Sequence, residues 1–486
     1  MLIYFVKLFS FHTLTTFLLE DNMDYDVLIL GGGIIGCALA YELSKYNLNI
    51  AVIEKDYDIG SDTALINTAT IYDGLESEDE LSSKLIRKGN LMIEEYASKF
   101  NVPYKRCGSV YIAKNSDQEK LIEAMYKRAQ LKHIEDVKLL EGEEMFKVEP
   151  NLDKAVSKIL YIPNTGVLRS YDLALAYGEI AFDNGVKFRL EEEVESIEKL
   201  TKGFKVETNK NKFTCKIVIN TTLDEKLTRG YDNKPEREYN KNYLKYIMID
   251  KDYEKLYSNI IFDINDKERV YIRPTIGGGI IGAYSNKRNV SYDKVIKKLS
   301  PLVKSVESRS IKMVLDWHLF DEPVKIDDSI EEQGYINVEV RHYGQVTMTP
   351  VLALNICNMV VSKINCKLKK DFIDKRREYY KFRELSNKER NEIIKVDNKY
   401  GNIICACENI TEGEIVDAIR RPLGARTLEG IKRRTGAGFG SCRGCYCNEF
   451  IISILARETD KKMTDIVKHS KNSKLLLGRI KEFDTM

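Results

Sequence analysis

The chain has 486 residues, 43% of them hydrophobic, which is ample for a buried core and points to about two or three domains. Lys+Arg 76 against Asp+Glu 74 leaves a formal net charge of +2, so the basic excess that a nucleic-acid partner calls for is missing. The charges are finely interspersed, as on a solvated surface, and no long low-complexity segment or internal repeat stands out.

Residues 1–22 open the chain with a mostly apolar run, Leu2 to Leu19, broken by Lys7 and His12 and lacking a small-residue cleavage site. They read as an N-terminal extension without an assigned role, and the first domain is expected to start at Met23. Asp26 to Leu30 reads as a buried parallel strand. Gly31-Gly32-Gly33-Ile34-Ile35-Gly36 follows, and Cys37 to Leu43 continues as a helix. This is the G-x-G-x-x-G dinucleotide fingerprint in its strand–turn–helix context. Gly31 permits the turn, Gly33 the approach of a pyrophosphate, and Gly36 the close packing of helix on strand. A second strand, Asn49 to Ile53, ends at Glu54, placed about 20 residues on to meet a ribose hydroxyl. A carboxylate there disfavours the 2′-phosphate of NADP.

Helices are predicted over 83–101, 117–133 and 173–184, the last closed by Gly185. Strands are predicted over 110–113, 186–190, 203–207 and 216–220. Between about Tyr243 and Asp328 short strands dominate. Gly334 to Val338 reads as a last buried strand, Thr349-Pro350 as the opening of a helix over 351–364, and 367–400 as a linker helix with a joint.

Of ten cysteines, Cys37, Cys107, Cys215, Cys357 and Cys366 are scattered, and five crowd the tail. That usage suggests a reducing, cytoplasmic compartment and a metal site rather than a disulfide framework. Cys405-Ala406-Cys407 precedes a capping box, Thr411 to Glu414, and two short helices. Gly436, Gly438 and Gly440 then return the chain to Cys442-Arg443-Gly444-Cys445-Tyr446-Cys447. Four converging thiolates suit [2Fe–2S] or zinc, although C-x-C is less typical of zinc.

Several segments together carry a family resemblance: Gly31–Gly36 with Glu54, Val102 to Ser109, Val148 to Leu152, Gly185-Val186 with Glu193-Val194, and Tyr335 to Val338. Over roughly residues 24–366 the chain resembles the FAD-dependent dehydrogenases of the D-amino-acid-oxidase superfamily. Within it, the likeness is to catalytic subunits of anaerobic glycerol-3-phosphate dehydrogenase and to L-2-hydroxyglutarate oxidase-like proteins. The resemblance implies an α/β fold with a Rossmann-like FAD-binding domain over 23–366. A mostly antiparallel α+β substrate domain would be inserted at about 80–150 and 225–330. A linker, 367–400, and a small helical [2Fe–2S] domain with the C-terminal tail, 401–486, complete the chain. The fingerprint glycines and Glu54 would then hold FAD, with Asn67 and Gly344 near the flavin and Val194 at the adenine.

Some family positions differ. Tyr72 stands where a histidine is usual, Thr221-Thr222-Leu223 replaces a glycine-ended run, and Gly277-Gly278 replaces a histidine-glycine pair. Tyr72, His342 and Arg273 are the candidates for catalysis or substrate binding, with Arg341 a further anion-binding candidate, while Trp317 is read as core. The tail resembles the bacterioferritin-associated-ferredoxin module through Thr411 to Thr435. That likeness implies a [2Fe–2S] cluster on Cys405, Cys407, Cys442 and Cys447, with Cys445 as the alternative fourth ligand.

The implied activity is oxidation of a small polar substrate, either glycerol 3-phosphate, a 2-hydroxy acid or an amine. Electrons would leave through the cluster to a second flavoprotein or another electron-acceptor subunit, with membrane association only through that partner. The alternative is a non-catalytic electron-transfer subunit that keeps FAD and cluster but lacks a substrate site.

Overall fold

The computed structural model describes residues 23–61, 70–227, 241–253, 255–265, 268–303, 306–327, 334–440 and 442–478. Residues 1–22 and the segment holding Asn67 lie outside the described residues.

The strand Tyr25–Leu30 is the centre of the first sheet. Ile50–Ile53 and Lys212–Asn220 flank it, both parallel, with Leu30 level with Ile53 on one side and Asn220 on the other. Lys187–Arg189 extends the sheet beyond Ile50–Ile53, and Tyr335–Glu339 pairs with Lys212–Asn220. Its side chains alternate between two covered faces. Val27 and Ile29 pack under helices Ile34–Ser44, Glu80–Lys99, Ser170–Asp183 and Gln345–Ile364. Leu28 and Leu30 pack against Phe204 and Val206 of the antiparallel meander, where Val194–Lys199 pairs with Phe204–Thr208 and that strand with Lys212–Asn220.

The second sheet is built from two separated stretches of chain. Ser109–Ala113, Lys138–Glu141 and Lys158–Ile162 come from the first, and the strands between Lys241 and Phe320 from the second. They are joined where Ile260–Ile264 runs parallel to Ser109–Ala113, and every other pairing in this sheet is antiparallel. The insertion boundaries differ from those read in the sequence. Helix Glu80–Lys99 belongs by packing to the nucleotide domain, since Leu85, Ile86 and Ile93 enter its core, while the sheet runs past residue 150 to Ile162.

Two elements differ from the sequence reading for tertiary reasons. The helix expected to open at Pro350 starts at Gln345 and carries Pro350 inside it. Its first turns are held by a close crossing with Glu80–Lys99, where a Cβ on Gly89 would lie 1.9 Å from the Thr347 carbonyl oxygen. The 367–400 stretch holds only a 3-10 turn, Phe382–Glu384, before its first α-helix, Asn387–Val396. Its first part is tied down as extended chain, with the Lys369 N–H donating to Lys45 O and the Ile373 N–H to Asn184 Oδ1, both at 2.8 Å. Trp317 is half-buried on the edge strand Ile311–Phe320 rather than in the core.

The C-terminal part has its own core, in which Ile415, Ile419, Leu428, Ile431, Ile451 and Leu455 join helices Glu412–Arg420, Leu428–Thr435 and Asn448–Thr459. It docks on the nucleotide domain through buried ion pairs. Arg434 meets Asp58 at 2.5 Å with both side chains 5% exposed. Glu179 of Ser170–Asp183 holds Arg376 at 2.6 Å and Arg421 at 3.0 Å.

Candidate functional site

The fingerprint turn has the shape a dinucleotide needs. Gly31 adopts φ +98°, and a Cβ on Gly36 would lie 1.9 Å from the Gly31 carbonyl oxygen. Helix Ile34–Ser44 begins after Gly33 with no side-chain cap, which leaves its first N–H groups and positive dipole end for a phosphate. At the end of the second strand, Glu54 Oε2 accepts the Gly32 N–H at 2.6 Å and Oε1 accepts the Asp56 N–H at 2.8 Å. The Glu192 N–H donates to Glu54 O at 2.9 Å, and Val194, two residues on, opens strand Val194–Lys199 and packs on the core that holds Leu28 and Leu30. Thr221, in the run that lacks the usual glycine, turns its hydroxyl onto Leu30 O at 2.8 Å and packs over Gly31. The residues present fit the adenosine–pyrophosphate half of FAD.

Gly344 precedes helix Gln345–Ile364, which also starts without a side-chain cap. A Cβ at Gly344 would collide with Ile86 Cδ1 at 2.6 Å. Its N–H donates to His342 Nδ1 at 2.9 Å. The other ring nitrogen, Nε2, lies 3.2 Å from Asp321 Oδ1 and 3.4 Å from Ser77 Oγ. His342 thus ties the loop to the start of the helix, and it is not among the residues that line the cavity beside Arg273. Arg341 pairs with Glu339 at 3.4 Å and donates to Leu223 O, and it too is not among the residues lining that cavity.

Arg273 is different. It is 5% exposed, sits on strand Glu268–Pro274, and makes no hydrogen bond or ion pair among the described residues, its Nε being buried without a partner. It lines a cavity of about 650 Å³ between the second sheet, the Arg169–Asp172 segment and the C-terminal domain. Burial pulls its pKa down, opposed by Tyr271, Tyr246, Tyr72 and Cys107. Tyr72 is thus within electrostatic reach of Arg273, while neither Tyr72 nor His342 is among the residues lining the cavity. Tyr72 is braced edge-on by Tyr343, with ring centroids 4.8 Å apart.

Arg169, Tyr246, Lys312 and Arg433 also line the cavity and were not singled out from the sequence. One signal was available: Gly277, Gly278 and Gly279 all take positive φ. They form a turn over which Arg169 lies, with Nη2 3.2 Å from where a Gly277 Cβ would be.

The tail cysteines converge as two pairs. Cys407 Sγ lies 3.5 Å from Cys442 Sγ, and Cys447 contacts Cys405. No three His, Cys, Asp or Glu side chains among the described residues are arranged for a lone metal ion, and paired sulfurs suit a two-iron cluster better than zinc. Burial and Cys405 push the Cys447 thiol up to about 12, so a thiolate there needs a metal cation beside it. Burial also opposes a Cys442 thiolate, but Cys407 and the N–H groups of Gly444, Tyr446 and Cys445 outweigh it and bring the pKa below the usual thiol range. A Cβ on Gly440 would lie 2.3 Å from Cys407 Cβ, so the return of the chain depends on that glycine.

Comparison with known proteins agrees with both sites. The family described as FAD dependent oxidoreductase matches residues 26–312, and the BFD-like [2Fe-2S] binding domain matches residues 403–457. Glycerol 3-phosphate dehydrogenase of Caloramator mitchellensis is 34% identical over 94% of this chain and 99% of its own. The mitochondrial L-2-hydroxyglutarate dehydrogenase of Dictyostelium discoideum is 30% identical over 32% of this chain and 35% of its own. Among solved structures, FAD-bound L-alpha-glycerophosphate oxidase from Mycoplasma pneumoniae has TM-score 0.63 and 20% identity, covering 73% of this chain and 99% of that one. Glycine oxidase from Geobacillus kaustophilus has TM-score 0.60 and 20% identity, covering 74% and 100%. The chain belongs to the FAD dependent oxidoreductase family, and is a glycerol-3-phosphate-dehydrogenase-like enzyme whose cofactors are FAD and a C-terminal [2Fe–2S] cluster.

Proposed function

We propose that this enzyme is a glycerol 3-phosphate dehydrogenase that delivers electrons to a separate acceptor protein through its own cluster. The observation that carries the reading is Arg273, a buried guanidinium without a partner among the described residues, lining a cavity of substrate size. An unpaired buried charge is costly unless a counter-ion completes it. A guanidinium matches the oxygens of a phosphate in bidentate fashion. Similarity over nearly the whole chain to a glycerol 3-phosphate dehydrogenase supports phosphate over carboxylate, since the L-2-hydroxyglutarate relatives match only about a third of the chain.

In this reading Arg273 holds the anionic end of the substrate. Tyr246, kept protonated by burial, donates a hydrogen bond into the same cavity. Gly31, Gly33, Gly36, Glu54 and Val194 hold the adenosine end of FAD, and Cys405, Cys407, Cys442 and Cys447 hold the iron. When bound, FAD would supply the two-electron acceptor for oxidation of the carbinol, whose hydroxyl proton is released to solvent, and the cluster would supply a one-electron outlet. Cys407 and Tyr446 are exposed at the rim, where an acceptor such as a second flavoprotein could approach in the cytoplasm.

The test is anaerobic titration of the flavin absorbance. Glycerol 3-phosphate should bleach it, and glycerol or L-2-hydroxyglutarate should not at equal concentration. An unchanged spectrum with glycerol 3-phosphate, in protein whose flavin dithionite still reduces, sinks the assignment.

A further inference from the structure

We propose that the iron–sulfur domain forms part of the substrate cavity, with Arg433 supplying a second guanidinium to the substrate's anionic group opposite Arg273. The inference rests on the reading that this cavity takes the substrate.

Charge pairing around the cavity singles out Arg433. Among its lining cations, Arg169 has Asp172 at 3.8 Å, Lys312 has Asp250 at 3.2 Å and Arg383 has Glu408 at 3.4 Å. Arg273 and Arg433 have no carboxylate and no hydrogen bond among the described residues. They reach the cavity from different domains, Arg273 from strand Glu268–Pro274 and Arg433 from helix Leu428–Thr435. Both guanidiniums border the same half-enclosed space, where one bound anion would take a charge-assisted hydrogen bond from each.

Arg433 is also pre-positioned. Its guanidinium lies over the Tyr171 ring, 5.5 Å from the centroid. That ring is fixed by its own hydroxyl, which donates to Asp58 at 3.0 Å and accepts from Arg434 at 2.7 Å. The adjacent arginines divide the work: Arg434 docks the domain and Arg433 faces the cavity. On the other side, Arg443 of the cysteine loop donates to Ile311 O at 2.6 Å, joining that loop to the strand whose Lys312 and Leu315 line the same space. Cys407 lines it as well, so substrate and cluster would share one wall.

The experiment compares wild type, Arg433→Gln and Arg433→Lys as full-length enzyme matched for FAD and iron. Losing one charged hydrogen bond predicts a KM for glycerol 3-phosphate raised about tenfold or more in R433Q. The kcat should stay within about threefold, inhibition by inorganic phosphate should weaken in parallel, and R433K should recover part of the loss. A merely structural arginine would lower cofactor content or melting temperature without this KM-against-kcat split. Unchanged KM and unchanged phosphate inhibition in R433Q, or in R433K if R433Q does not fold, overturn the proposal. Should wild type fail to oxidise glycerol 3-phosphate, the substrate assignment falls alone. Calorimetry with inorganic phosphate then decides this point: weaker binding in the variant supports it, and equal or absent binding overturns it.

Discussion

Cys447 is 2% exposed and its sulfur meets Cys405, whereas Cys445, two positions earlier, is exposed. C447S should therefore lose most of the iron and the visible cluster absorbance, while C445S should keep about two irons per chain. Iron analysis of the two purified variants checks this, and the reverse pattern would restore the stand-alone ferredoxin spacing. Sequence spacing left both readings open because the choice depends on which sulfur the loop turns inward. A second residue-scale case is Asp73. Its Oδ1 accepts the Leu75 N–H at 3.1 Å and its Oδ2 is buried without a partner among the described residues. Burial pushes its pKa to about 6, against the Leu75 hydrogen bond and Lys132. A carboxyl raised in the folded state costs nothing below its unfolded value of 3.8 and its full penalty above the folded value, so stability falls as pH rises between them. D73N should stabilise the protein by ~2–3 kcal/mol at neutral pH, and the gain should vanish near pH 4. Urea midpoints across that range test it, and a pH-independent gain would mean another cause.

Helix Ser170–Asp183 was legible in the sequence as an apolar stretch closed by Gly185, and it forms nearly there. Its role was not legible. The buried Glu179 carboxylate points at two arginines from distant chain segments, Arg376 and Arg421, which outweigh burial and hold its pKa below the usual range. Such a triad has no local signature, since its members lie far apart in sequence. Removing the acid leaves buried Arg376 without its carboxylate and Arg421 with Asp417 alone, so Glu179→Gln should cost ~3–5 kcal/mol. Hydrogen exchange should show the loss first in residues 401–478, and a loss confined to the nucleotide sheet would contradict the docking role. Pro350 makes the complementary point. The Thr349-Pro350 pair looks like a helix start, yet the helix begins earlier because the crossing at Gly89 holds Gln345 to Thr349 in helical form.

At the scale of the molecule, the cluster domain is fixed to both other parts, by Asp58–Arg434 and Glu179–Arg421 on the nucleotide domain and by Arg443 on strand Ile311–Phe320. Electrons from flavin should then reach the cluster within one chain. In anaerobic rapid mixing with substrate, the rate of cluster reduction should stay constant over a tenfold range of protein concentration. A rate proportional to concentration would mean that transfer occurs between molecules and that the docked arrangement is not the working one.

The sequence by itself determined the two cofactors. A phosphate-binding turn and a cysteine-bound cluster are built from short, contiguous motifs whose backbone demands, Gly31, Gly36 and the Cys-x-Cys pair among them, are written in local residue order. Tertiary structure alone decided the substrate cavity. Arg273, Arg433, Arg169 and Tyr246 come from four separate segments and meet only when two domains close on a third. It also decided where His342 sits, because its ring is held by the N–H of Gly344 two residues on, folded back against Nδ1.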